Sequence, residues 1–204
     1  MPDTTNHELT AIILAGGRGQ RMGLQNKGLL PFRQQPLIAH VIASLRPQVS
    51  RIVISANDNL DDYQQFGLSV IPDQLADYAG PLAGIYSVMR VLNSEWYITA
   101  PCDTPCLPTD YVARMLAGRH GQLACVAHDG QRQQSGCCLL HHSLLGQLEQ
   151  TLESGHFAVH RFLAEIAAST VDFSDEAHGF ANINTPAELA ALDTDATSRD
   201  SGHD

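Results

Sequence analysis

The chain has 204 residues, 44% of them hydrophobic and 17% charged, with 12 Lys and Arg against 22 Asp and Glu and a net charge of −10. That length suits one domain with a sizeable core, and the acidic balance argues against a nucleic-acid surface, which needs clustered Lys and Arg. No apolar run approaches the roughly 20 residues of a membrane span, and Met1 to Thr10 lacks a basic stretch followed by an apolar one, so no secretory signal and a cytoplasmic location are expected.

In chain order, Ala11-Ile12-Ile13-Leu14 is a short apolar run ending at glycines, as a buried parallel strand would. Leu37, Ile38, Val41, Ile42, Leu45 and Val49 recur at helical spacing. Arg51-Ile52-Val53-Ile54 reads as a second strand and Ser69-Val70-Ile71 as a third. Leu82, Ile85, Met89 and Leu92 define a helix after Gly80-Pro81, and Trp96-Tyr97-Ile98-Thr99 is a strand running into Cys102-Asp103. Leu123 to Ala127 and Cys137 to Leu140 read as strands about a turn at Asp129-Gly130. Leu144 to Leu152 and Val159 to Ile166 read as helices, and Val171-Asp172-Phe173 as a short strand. Thr185-Pro186-Ala187-Glu188 has the form of a helix start, with a capping Thr, Pro at the first helical position and a closing Glu. Strands alternating with helices predict an α/β fold, a three-layer α/β/α Rossmann-like arrangement with a mostly parallel sheet. The expected organisation is an extension over 1–9, one domain over 10–192 and a flexible polar tail over 193–204.

Five cysteines are present, three of them (Cys125, Cys137, Cys138) in apolar runs, and they read as reduced core thiols. A zinc site is disfavoured: no C-x-x-C occurs, and adjacent Cys137 and Cys138 would face opposite sides of a strand.

The most informative segment is Leu14-Ala15-Gly16-Gly17-Arg18-Gly19-Gln20-Arg21-Met22-Gly23, followed by Lys27. Glycines after a first strand let the backbone turn and bring N–H groups to phosphate oxygens, and Arg21 and Lys27 add charge suited to a polyphosphate. Two familiar motifs fail. A P-loop needs its lysine followed by Ser or Thr, whereas Lys27 precedes Gly28. A dinucleotide fingerprint needs tighter spacing than Gly17, Gly19 and Gly23 provide, and the second strand ends in Ser55-Ala56-Asn57 with no acid for a ribose.

The string L-A-G-G-x-x-x-R-M-G with a following lysine resembles the signature of the nucleotidyltransferases that activate sugars, polyols and cofactors. The resemblance implies that Leu14, Ala15, Gly16, Gly17, Arg21 and Lys27 hold the triphosphate of a nucleotide. Asp103, in Ala100-Pro101-Cys102-Asp103-Thr104-Pro105, sits where a strand tip would face the same crevice. Alone it would as readily cap a turn; beside the glycine loop it suits magnesium, which takes one or two carboxylates plus phosphates, and the resemblance makes it the magnesium ligand. Asp73, after Ile71-Pro72, is a second candidate for the metal or the nucleotide.

Within the superfamily, Leu75-Ala76-Asp77-Tyr78-Ala79-Gly80-Pro81-Leu82-Ala83-Gly84, Pro101-Cys102-Asp103-Thr104-Pro105, Val171-Asp172-Phe173-Ser174-Asp175 and Phe180-Ala181-Asn182-Ile183-Asn184-Thr185-Pro186 resemble the molybdenum cofactor guanylyltransferases, from about Thr10 to Leu192. That family implies GTP and molybdenum-molybdopterin as substrates, Mg2+ as cofactor, molybdoenzymes or their chaperones as recipients, and no nucleic acid or membrane. It puts Asn182 and Asn184, with Gly80 and Pro81, near the pterin; on a strand the two Asn would share a face. The LAGG form favours guanine over cytosine by the same resemblance. Departures are Ser55 where some relatives carry a nucleotide-contacting Asn (Asn57 is nearby), Asn26 in place of Asp, no proline within Arg132-Gln133-Gln134-Ser135, and no arginine within Gly155-His156-Phe157-Ala158, although Arg161 is close. The competing functions are a sugar-phosphate or CTP-dependent nucleotidyltransferase and a non-catalytic nucleotide or cofactor carrier. His156 and His160, spaced i, i+4 on an expected helix, read as solvated rather than metal-binding, and Cys102 as part of a turn rather than a nucleophile.

Overall fold

The structure, a computed structural model, describes residues 9–16, 26–74 and 80–183. The segment before Leu9, the helix start at Thr185 and the tail over 193–204 lie outside the described residues. In chain order the elements are β1 (Leu9–Leu14), β2 (Pro31–Phe32), β3 (Gln35–Pro36), α1 (Leu37–Leu45), β4 (Arg51–Ser55), α2 (Leu60–Gln64) and β5 (Ser69–Ile71). Then follow α3 (Pro81–Val91), β6 (Trp96–Pro101), α4 (Tyr111–Gly118), β7 (Ala124–His128), β8 (Gln133–His141), α5 (Leu145–Glu153), α6 (Val159–Glu165) and β9 (Ser169–Asp172).

Seven strands form one sheet in the order β5-β4-β1-β6-β8-β7-β9. β5, β4, β1 and β6 run parallel, and β8 is antiparallel to both β6 and β7. β8 reverses because the link from β7 is a tight turn. Asp129 Oδ1 accepts the N–H groups of Gln131 and Arg132, each at 2.8 Å, and Gly130 takes φ +90°. The sheet is therefore mostly parallel, as expected, with Leu9 already paired to Trp96 and so inside the fold.

Strand residues alternate between two cores. Ala11, Ile13, Ile52, Ile54, Ile98 and Leu139 face α1 and α4 through Val41, Leu45, Val112 and Met115. Ile12, Val53, Tyr97, Val126 and Leu140 face α3, α5 and α6 through Ile85, Met89, Leu148 and Phe162. Burial of both faces accounts for the unbroken apolar reading of β1, and the result is the three-layer α/β/α arrangement. Cys137 and Cys138 enter opposite cores, and all five cysteines are free thiols. Burial pushes Cys138 up to about 11 and Cys125 up to about 12.

Two local expectations are corrected. α1 stops at Leu45, four residues before Val49, since Pro47 has no N–H to continue the ladder; Val49 is buried from the turn, its N–H on Leu45 O at 3.2 Å. The β2–β3 hairpin was not expected. Its turn is made by Arg33 and Gln34, both with positive φ (45° and 65°), without the Gly or Asn that marks such turns. Among the described residues, no helix is long and apolar enough to cross a membrane.

Candidate functional site

The strand order reverses between β1 and β6, and the connections leave these two strands on opposite sides. In a doubly wound sheet that reversal opens a crevice beyond the carboxyl ends of the strands. The strand tips are fastened together there. Leu14 is in register with Pro101, Cys102 N–H donates to Leu14 O at 3.1 Å, and Ala15 N–H donates to Ser55 O at 2.8 Å. The crevice is a cleft of about 400 Å³. Leu14, Ala15 and Gly16 line it on one side and Pro101, Cys102 and Asp103 on the other, with Asn26 and Lys27 between. Pro81 enters from the start of α3.

Lys27 and Asp103, 76 residues apart in sequence, meet across the cleft with Nζ 3.4 Å from Oδ2. Asp103 is 9% exposed. Burial raises its carboxyl above the ordinary Asp value, and the Lys27 charge and hydrogen bond pull it back only in part. Lys27, the ion-pair partner of this carboxylate among the described residues, stands 3.4 Å away and is itself partly exposed. The donor set fits a hard divalent cation of the magnesium kind: one carboxylate from the protein, with the other oxygens from phosphates and water. No group of three His, Cys, Asp or Glu that could hold a metal occurs among the described residues.

Ser55 and Asp73 do not line the cleft. They lie against α3, where a Cβ on Gly84 would fall 2.2 Å from Ser55 Oγ and 3.3 Å from Asp73 Oδ1. Asp73 is held by Asn57, whose Nδ2 donates to Oδ2 at 2.8 Å and whose Oδ1 accepts the Asp73 N–H at 2.7 Å. Burial raises the Asp73 carboxyl while this amide lowers it. Asn57 also reaches the loop after β1, 3.5 Å from the Cβ position of Gly16. Gly80, with φ +76°, precedes Pro81 at the first position of α3, where proline's missing N–H costs the helix nothing.

Asn182 is not on a strand. Its Oδ1 accepts from Thr104 Oγ1 at 2.9 Å, and the next residue, Ile183, donates its N–H to Asp103 O at 3.0 Å. A tertiary tie to the Asp103 turn thus replaces sheet pairing. Gly17, Arg21, Asp77 and Asn184 lie outside the described residues. Cys102 is buried in the turn, its thiol pushed far up by burial and by Asp103, which fits a packing role. His156 and His160 do not share a helix. Gly155, at φ +79°, ends the chain's run from α5, and His156 lies in the link while His160 is on α6.

Sequence reasoning missed two walls of the cleft. Ser135 and Gly136 reach it because the β7–β8 register breaks: Val126 pairs with Cys138, but Ala127 pairs with Gln134. The bulge is held by Thr99, whose Oγ1 donates to Gly136 O at 2.7 Å, and a Cβ on Gly136 would lie 2.7 Å from Pro101 Cγ. Ala158, Val159 and His160 form the other wall. The one sequence signal for the bulge was a glycine inside a strand pattern.

The geometry agrees with comparisons to known proteins. Molybdenum cofactor guanylyltransferases of Yersinia pestis and Yersinia pseudotuberculosis are each 42% identical to this chain over 180 residues, which is 88% of this chain and 92% of theirs. In fold, the molybdopterin-guanine dinucleotide biosynthesis protein A of Archaeoglobus fulgidus matches with TM-score 0.74 at 20% identity, over 93% of this chain and 99% of that one. The 4-diphosphocytidyl-2C-methyl-D-erythritol synthase of Anaerococcus prevotii matches with TM-score 0.73 at 10% identity, over 94% and 97%. A family profile described as the MobA-like NTP transferase domain matches residues 11–170. With that match over most of its length, the chain belongs to the MobA-like NTP transferase family.

Proposed function

We propose that this chain transfers GMP from GTP to the terminal phosphate of molybdenum-molybdopterin, releasing pyrophosphate and giving molybdopterin guanine dinucleotide. The observation that carries this reading is the Lys27–Asp103 pair across the cleft at the sheet's reversal point, in a chain 42% identical to proteins named molybdenum cofactor guanylyltransferase. The reaction needs no covalent intermediate on the protein. The acceptor phosphate attacks the α-phosphorus of GTP in line, and pyrophosphate leaves; positioning and charge neutralisation supply the catalysis.

In this reading the backbone of Leu14, Ala15, Gly16 and Gly17 approaches the triphosphate, and Lys27 and Arg21 neutralise it. Asp103 would hold Mg2+, which when bound would stabilise the charge that develops on the phosphates. Ser55 and Asp73 support the nucleotide side from beneath α3. Gly80, Pro81, Asn182 and Asn184 belong to the pterin side, Asn182 through its tie to Thr104 beside Asp103.

Pyrophosphate release from GTP, with Mg2+ and molybdenum-loaded molybdopterin, tests the reading against the Asp103→Ala variant. GTP-specific turnover that falls by about 10²-fold or more in the variant is expected. Turnover with CTP but not GTP overturns the nucleotide, and turnover with a sugar phosphate in place of the pterin overturns the acceptor. Binding of GTP with no pyrophosphate release under any acceptor makes the chain a carrier.

A further inference from the structure

Tyr63 lies outside the cleft on α2, yet its ring is fully buried. Its hydroxyl donates to Oδ1 of Asn26 at 2.5 Å. Asn26 is the residue before Lys27, and Lys27 reaches Asp103. On the other side of Lys27, a Cβ on Gly28 would lie 2.7 Å from the same hydroxyl and 3.2 Å from Cys102 Cβ. One buried phenol therefore sits against both neighbours of the lysine. α2 anchors it from behind, with Tyr63 N–H on Asn59 O at 3.1 Å and Phe66 N–H on Tyr63 O at 3.2 Å. Burial raises the phenol well above its ordinary value, so it remains an O–H donor at working pH. The Asn26 side chain does not cap the Lys27–Leu29 turn, which leaves its Oδ1 to the Tyr63 hydroxyl.

We propose that Tyr63 is a positioning residue for Lys27, acting through its hydrogen bond to Asn26, and that position 28 is glycine so that the hydroxyl can reach. This rests on the reading of the cleft as a nucleotide site. Tyr63 touches no substrate; it acts by fixing where the ammonium points. A neutral hydrogen bond of this kind corresponds to an effect of up to about tenfold.

The test measures three quantities on the full chain: Kd for GTP with Mg2+, kcat/KM for GTP, and Tm. The variants are Tyr63→Phe, Gly28→Ala, Lys27→Ala and the pairs of each of the first two with Lys27→Ala. Tyr63→Phe is expected to weaken Kd and kcat/KM for GTP by about tenfold. Gly28→Ala, whose Cβ displaces the hydroxyl, is expected to do the same, and neither is expected to add a further loss once Lys27 is Ala. A Tyr63→Phe protein with lowered Tm but unchanged Kd and kcat/KM overturns the proposal, as does a full additional loss in the Lys27→Ala background. If Tyr63→Phe does not fold, Gly28→Ala with and without Lys27→Ala decides by the same criterion. The Kd arm needs no acceptor. If wild type binds GTP but does not use molybdopterin, the proposed acceptor fails while the positioning claim is still decided; if wild type does not bind GTP, both fall.

Discussion

Asp103→Asn should stabilise the protein while abolishing its turnover. The side chain keeps its shape and loses its charge. In the folded chain the carboxylate is 12% exposed and has Lys27 at 3.4 Å. At an effective dielectric of roughly 20, that separation corresponds to an attraction of about 5 kcal/mol. The carboxyl is nevertheless raised, so withdrawing it from water outweighs the attraction. Removing one member of an ion pair is costly when the remaining charge is sealed in, but the Lys27 side chain is 29% exposed and keeps access to water. The net gain is expected on the order of 1 kcal/mol, or about 2–4 °C in Tm for a domain of this size. Because the folded-state carboxyl is raised, the folded chain holds the proton more tightly than the unfolded one. The cost of the charge is therefore absent below the unfolded value of about 4 and complete above the raised folded value. Thermal unfolding with chelator and without nucleotide should show the variant above wild type at neutral pH, with the gap closing as the buffer is made acid. A variant that melts below wild type at pH 7 would refute the reasoning, since Lys27 would then depend on Asp103 more than Asp103 suffers from burial.

Gln34→Gly should raise Tm, because a non-glycine residue at φ 65° in the β2–β3 turn is strained; the gain is about 1 kcal/mol, read from denaturant midpoints, with kcat unchanged. Gly84→Ala should destabilise by about 1–3 kcal/mol despite its better helix propensity, because the new Cβ meets the buried Ser55 Oγ at 2.2 Å. Adding Ser55→Ala should restore part of the loss, short of all of it because Ser55 Cβ and Asp73 Oδ1 both remain at 3.3 Å; equal melting of the single and double variants would count against the contact.

The parts of the fold legible in the sequence are those fixed by local pattern. β1 and β6 announce themselves as apolar runs ending in a glycine loop and an aspartate, and these two ends meet at the reversal of the sheet. The parts that escaped are set by distant partners. The segment at Asn182-Ile183 is placed by Thr104, whose hydroxyl donates to Asn182 from 78 residues away, and by the Asp103 carbonyl, which accepts the Ile183 N–H. The hairpin at Arg33-Gln34 has no turn chemistry of its own; it is held by packing of Phe32 with Leu37 and Ile183 and by the Leu37 N–H on Leu30 O at 2.9 Å. His156 and His160 match helical spacing, yet α6 begins only at Val159, so His156 stays in the link while His160 is on the helix.

The glycines near the cleft show where this limit lies. Gly28, Gly84 and Gly136 each stand where an added Cβ would come within 2.7 Å of another group, and the groups are a tyrosine hydroxyl, a serine hydroxyl and a proline ring from three different elements. A glycine within an otherwise regular pattern already says that something approaches the backbone closely. It cannot say what, because the approaching group is chosen by the order in which the strands assemble. At the reversal point helices and strands from both halves of the chain converge, so close approaches accumulate where the ligand cleft must also form. Tight packing around Lys27 and Asp103 then limits how far either can swing. In the proposed reading, a cleft that holds a triphosphate and a metal in one geometry requires that restraint, and the cost is carried by glycines that could not be replaced without shifting the wall they permit.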